Sequence, residues 1–127
     1  MLVDDSEVDN FIHQKVMENA KFSKCTFIHT GTISALEFLK DIEKLEEPPK
    51  GLIPDFIFLD INMPMLDGFH FLEEFEKLSI KLKSSIKVVM LTASINENDI
   101  ERTKGYSSVV KFLNKPLSEA DLQVLCN

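Results

Sequence analysis

A chain of 127 residues, 44% of them hydrophobic, can close one sizeable core and leaves no room for a second ordinary domain. Its formal charge of −7 argues against nonspecific nucleic-acid or anionic-membrane binding, because those surfaces recruit Lys and Arg through counterion release. No apolar stretch reaches bilayer-spanning length, acidic residues stand where an export signal needs positive charge, and Cys25 and Cys126 have neither metal-ligand spacing nor a paired framework. A reducing, cytoplasmic setting fits.

In chain order, Leu2 and Val3 form a short apolar run ending in Asp4-Asp5. Ser6-x-x-Asp9 then signals a helix start, since the hydroxyl accepts from a free N–H and the acid sits in the first turn. Val8, Phe11, Ile12, Val16 and Ala20 fall on one helical stripe, expected to face a sheet. Cys25 to Ile28 is the second strand candidate. Glu43, Glu46 and Glu47 read as a solvated helix end, and Pro48, Pro49, Gly51 and Pro54 make Glu46 to Pro54 a loop. Phe56 to Leu59 and Val88 to Leu91 are continuously apolar, as strands buried on both faces should be. Between them Phe71, Leu72, Phe75, Leu78 and Leu82 make a second helical stripe. Val109 to Leu113 is the fifth strand, and Ser118-x-x-Asp121 opens the last helix. Strand and helix patterns alternate, which implies parallel strands joined by crossover helices and the α/β class. The first strand has two residues before its acids where about five are usual, and the last helix is short, so residues are expected to be missing at the N-terminus and at the C-terminus.

Ligands of open α/β sheets bind beyond the carboxyl ends of the strands. There the first run ends in Asp4-Asp5, the third in Asp60, the fourth in Thr92 and the fifth, after Asn114, in Lys115. If the strands are parallel, these groups meet at one edge. Two carboxylates about 4 Å apart repel by roughly 4 kcal/mol at an effective dielectric near 20, so the cluster has to recruit a cation or keep a proton. Mg²⁺ suits it, being a hard ion that takes one or two carboxylates plus water and phosphate oxygens. Lys115 supplies a second positive charge, which together with the metal would screen an incoming phosphoryl group and let Asp60 attack phosphorus in line. Thr92 and the amide of Ala93 offer donors to the phosphoryl oxygens. Singly these residues have ordinary explanations, an N-cap for Asp5 or Ser6 and a loop role for Thr92 or Lys115. Their joint order along the chain does not.

The segments Leu2 to Asp5, Phe58 to Gly68, Met90 to Ser94 and Phe112 to Pro116 resemble the signature blocks of response-regulator receiver domains, and the likeness covers essentially the whole chain, residues 1–127. It implies a flavodoxin-like five-stranded parallel sheet of order 2-1-3-4-5 with helices on both faces. It further implies that Asp60 is the phosphoacceptor, that Asp4 and Asp5 with Asp60 hold Mg²⁺, and that Asn62 gives the metal a backbone carbonyl. Thr92 and Ala93 would bind phosphoryl oxygens and Lys115 would pair with the phosphate. Asn62 and Ser94 fall where the family sets phosphoaspartate lifetime, and Phe112 where it carries an aromatic switch coupled to Thr92. Pro64 is read as stiffening its loop, Gly68 as a backbone conformation closed to other residues, and the family pattern puts a cis bond before Pro116. The phosphodonor would be a sensor histidine kinase or a histidine phosphotransfer protein. Output would pass through the surface of the fourth helix, fifth strand and fifth helix to a protein target, with a monomer or a phosphorylation-dependent dimer as the signalling species.

Three rival readings have discriminating features. A phosphohydrolase using Asp60 commonly needs a second acid two residues on, where this chain has Asn62. A phosphate-independent interaction domain would have a broken acid set, and here the set is intact. The third is a receiver cut from a larger regulator or hybrid kinase. His13, His29 and His70 stand apart and read as helix-surface or strand-end side chains, and the isolated glycines form no P-loop or dinucleotide fingerprint.

Overall fold

The structure is a computed structural model, and it describes residues 1–49, 51–63, 66–93 and 95–126. Pro64 and Ser94, both named above, lie outside the described residues. Five strands, β1 (Leu2–Val3), β2 (Ile28–His29), β3 (Phe56–Asp60), β4 (Lys87–Thr92) and β5 (Val109–Asn114), form one parallel sheet in the order β2-β1-β3-β4-β5. Six helices among the described residues accompany them: α1 (Glu7–Asn19), α2 (Thr32–Glu43), α3 (Gly68–Phe75), α4 (Ile80–Ser84), α5 (Glu97–Thr103) and α6 (Glu119–Cys126). The expected order 2-1-3-4-5 and class are therefore observed.

Alternation along the central strands sorts side chains onto two faces. Val3, Ile57, Leu59, Val88 and Met90 pack with α2 and α3, whereas Leu2, Phe58, Val89, Leu91 and Leu113 pack with Met17 of α1 and Leu122 of α6. Register then fixes the site: Leu2 stands opposite Phe58, Asp60 opposite Leu91 and Thr92 opposite Asn114. Asp4 and Lys115, each one residue beyond its strand, thus emerge at the same edge as Asp60 and Thr92.

Several expectations need correcting. The second strand is Ile28–His29 rather than Cys25 to Ile28, because the ladder needs partners and β1 supplies only Leu2 and Val3. The stripe predicted to seat α1 is largely on the outside, with Val8 68% and Phe11 60% exposed and Ile12 also in solvent, while Asn10, His13 and Met17 are buried. His13 is accordingly no surface residue. The second stripe is buried throughout, but it spans two helices: α3 ends at Phe75, and Ser79 caps the separate α4 by accepting from Leu82 N. The additional helix makes the predicted output face α5, β5 and α6. Glu43 is more than a solvated helix end, since its Oε2 accepts from Ser79 N at 2.6 Å and ties α2 to the start of α4. Gly51 has φ of +85°, a backbone conformation L side chains rarely adopt. Gly68 does not share it. Its requirement is space, because a Cβ there would lie 2.7 Å from the Asp60 carbonyl oxygen.

Candidate functional site

Asp4 leaves the end of β1 buried, and four hydrogen bonds hold it: its N donates to His29 O at 3.1 Å, Oδ1 accepts from Ser6 N at 2.9 Å, Oδ2 accepts from Lys115 Nζ at 2.6 Å, and its carbonyl accepts from Asn10 Nδ2 at 2.8 Å. Asn10 therefore has a positional reason for being inside. It braces the loop that carries the acid pair. Asp60 closes β3, also buried, with Asn62 N donating to its Oδ1 at 3.4 Å. Behind it Gly68 N donates to Ile61 O at 2.9 Å, which brings Gly68 against the Asp60 carbonyl that leaves no room for a Cβ.

Lys115 is delivered by β5, its backbone N donating to Thr92 O at 2.8 Å, and the bond from Lys115 to Pro116 is cis, as the family pattern implied. Its Nζ reaches three carboxylates: Asp4 at 2.6 Å, Asp9 at 3.0 Å and Asp60 at 3.3 Å. Burial opposes the charge on this ammonium, yet its hydrogen bonds to Asp4 and Asp9 and the charge of Asp60 hold it above the usual lysine range. Asp60 is raised as well, but toward its neutral form. Burial, and then the neighbouring Asp4 carboxylate, push its carboxyl up to about 6 against the pull of Lys115. One lysine thus leaves the cluster short of positive charge.

Each of Asp4, Asp5 and Asp60 offers one carboxylate oxygen to a set lying within 4.8 Å of one another, with Asp5 exposed and the other two buried. Hard oxygen donors with one side open to water fit a small divalent cation such as Mg²⁺. Thr92 is buried at the end of β4, Ala93 and Asn62 are exposed beside the edge, and Phe112 is half-buried against the core cluster containing Met90. The structure therefore gathers Asp4, Asp5, Asp60, Thr92 and Lys115 at one edge.

Sequence reading missed Asp9 as a partner of Lys115, and Asn10 and His13 as buried residues. Asn10 Oδ1 and His13 Nδ1 have no hydrogen-bond partner among the described residues, and burial followed by the charge of Lys115 lowers the His13 pKa against Asp4 and Asp9. The spacing of Asn10 and His13, three residues apart on α1, was the available signal for a polar inner face.

The chain matches the model of the response regulator receiver domain over residues 1–127 and belongs to that family. It is 35% identical over 100 residues to response regulator Rcp1 of Synechocystis, an alignment covering 79% of this chain and 65% of Rcp1. A two-component response regulator from Cytophaga hutchinsonii superposes with a TM-score of 0.82 at 23% identity, covering 99% of this chain and 91% of that one, a likeness of fold. The Mn²⁺-bound form of Rcp1 matches with a TM-score of 0.68 at 30% identity, covering 98% and 86% of the two chains. This is a receiver domain of two-component signalling, and no helix among its described residues is long and apolar enough to cross a membrane.

Proposed function

We propose that Asp60 accepts a phosphoryl group from a phosphohistidine donor, a sensor histidine kinase or histidine phosphotransfer protein, in the cytoplasm. The observation that carries this reading is the convergence of Asp4, Asp5 and Asp60 within 4.8 Å beside the Lys115 ammonium. Asp4, Asp5 and Asp60 would hold Mg²⁺, as the metal-bound form of Rcp1 holds Mn²⁺ in that protein, with the Asn62 carbonyl as a further ligand. Bound there, the ion supplies charge neutralisation for a crowded anionic transition state.

The residues of the chain do the rest. The Asp60 carboxylate attacks phosphorus in line as the bond to the donor nitrogen breaks, leaving the imidazole with the electron pair. The Thr92 hydroxyl and Ala93 amide receive the phosphoryl oxygens, and Lys115 pairs with the phosphate once Asp60 is modified. Thr92 drawn toward the phosphate biases Phe112 and the α5, β5 and α6 face, which a downstream protein reads. Asn62 and Ser94 set how long the phosphoaspartate lasts. The exposed Val8, Phe11 and Ile12, on the helix that also carries Asp9 to Lys115, form the face a donor covers to reach Asp60.

Intact-mass spectrometry after acetyl phosphate, with and without Mg²⁺, tests the chemistry. One phosphoryl group is expected per chain, requiring Mg²⁺ and absent in Asp60→Asn. Equal modification of the variant, or turnover of phosphomonoesters many times over, contradicts the assignment.

A further inference from the structure

The two Ser-x-x-Asp helix starts look alike in sequence and differ in structure. At α6 the box closes on itself: Asp121 N donates to Ser118 Oγ at 3.2 Å and Ser118 N donates to Asp121 Oδ2 at 3.0 Å. At α1 only the first half forms, with Asp9 N donating to Ser6 Oγ at 3.2 Å. The Ser6 N–H is already taken by Asp4 Oδ1. The Asp9 carboxylate is thereby released from capping and reaches Lys115 Nζ at 3.0 Å, a contact 106 residues apart in sequence.

An ammonium has three N–H donors, and Lys115 faces three carboxylates. Asp60 is the farthest of the three at 3.3 Å, so Asp4 and Asp9 hold the lysine more closely than the acceptor does. Asp4 belongs to the metal-competent cluster and Asp9 does not, so a cation at that cluster draws on Asp4 and leaves Asp9 as the tether on the lysine.

Resting on the reading of Asp60 as acceptor, we infer that Asp9 is a positioning residue that restrains Lys115: a phosphoryl group on Asp60 gains the lysine only by displacing Asp9. Asp9 slows capture of the phosphoryl group and sets how firmly Lys115 holds it. The Asp9 side chain is about one-third exposed (36%), so the pair is worth what partly exposed pairs are worth, and its loss is expected to change rates about fivefold.

The test measures the rate of acetyl-phosphate modification at fixed Mg²⁺ by intact mass for wild type, Asp9→Asn, Asp9→Glu and Glu7→Gln. Glu7 is an exposed acid in the same first turn of α1 and has no contact with Lys115 among the described interactions, so its neutralisation matches the charge change alone. Asp9→Asn is expected to be modified about five times faster than wild type, Asp9→Glu to lie near wild type, and Glu7→Gln to be unchanged. The Asp9→Asn gain is expected to vanish in a Lys115→Met background, a coupling that a merely structural role does not produce. Equal acceleration in Asp9→Asn and Glu7→Gln overturns the inference in favour of net charge. An unchanged or slower Asp9→Asn, with wild type still modified on Asp60, overturns it while leaving the acceptor reading intact. Wild type without any modification overturns both.

Discussion

Helices α1 and α3 flank opposite faces of the same sheet and obey different rules. In α3 the apolar stripe is the buried face, with Phe71, Leu72 and Phe75 wholly inside and the Phe71 and Phe75 rings stacked 5.9 Å apart. In α1 the apolar stripe is mostly outside, and the helix turns Asn10, His13 and Met17 inward. The difference follows from what each helix neighbours. Helix α3 covers hydrocarbon, so area removed from water decides its orientation. The first turns of α1 lie against Asp4 and Lys115, where an apolar residue would strip solvent from charges without returning hydrogen bonds. Asn10 returns one, to the Asp4 carbonyl. A helix beside a charged site is oriented by the site's polar requirements, and its apolar residues Val8, Phe11 and Ile12 are left exposed.

Truncation inside α3 sharpens the contrast most. Phe75→Ala is expected to lower unfolding free energy by about 3–5 kcal/mol, the usual loss for an aromatic ring deleted from a packed core. Urea titration followed by far-UV circular dichroism measures it, and a loss below about 1 kcal/mol would mean that α3 is as loosely seated as the outer face of α1.

The charged edge predicts an effect of opposite sign. Asp60 holds its proton up to about 6 in the folded state against an ordinary value of 3.8, so the folded chain binds that proton more tightly than the unfolded one. Its contribution to stability is present below pH about 4 and is lost as pH rises through about 6. Without divalent cations, Asp60→Asn is therefore expected to match wild type near pH 4 and to exceed it by on the order of 2 kcal/mol at pH 7. Urea midpoints at the two pH values in the presence of a chelator check this. A variant less stable than wild type at pH 7 would show that Lys115 fully neutralises the cluster.

The central strands and the site acids were legible because their signals are one-dimensional. Apolar runs such as Phe56 to Leu59 end where the strand ends, and parallel register converts chain order into a shared edge for Asp60, Thr92 and Lys115. What escaped depends on contacts distant in sequence. The stripe of α1 gave the wrong face because periodicity counts apolar residues without knowing that Asp4 and Lys115 occupy the inside of its first turns. Asp9 read as a capping acid because nothing local reveals that Asp4 takes the Ser6 N–H first. Gly68 reads in sequence as a backbone conformation closed to other residues, whereas its role is set by the Asp60 carbonyl eight residues away. The break between α3 and α4 was hidden because Leu78 and Leu82 continue the stripe across the Ser79 cap.

The smallest stability effect carries the sharpest test of the partner face. Phe11 is 60% exposed on α1, with the Lys15 ammonium over its ring at 5.5 Å. Phe11→Ser is expected to shift unfolding free energy by no more than about 0.5 kcal/mol, as surface changes away from caps and networks do. Modification by acetyl phosphate should also be unchanged, because a small donor reaches Asp60 without covering α1. Transfer from a phosphohistidine protein should fall several-fold, since a macromolecular donor loses the apolar area that Phe11 offers. Running both donors against one variant separates docking from chemistry. If the two rates stay equal to wild type, the outward stripe of α1 is solvent-facing surface and the donor approaches over another element; if both fall together, Phe11 supports the site itself and the distinction between α1 and α3 collapses.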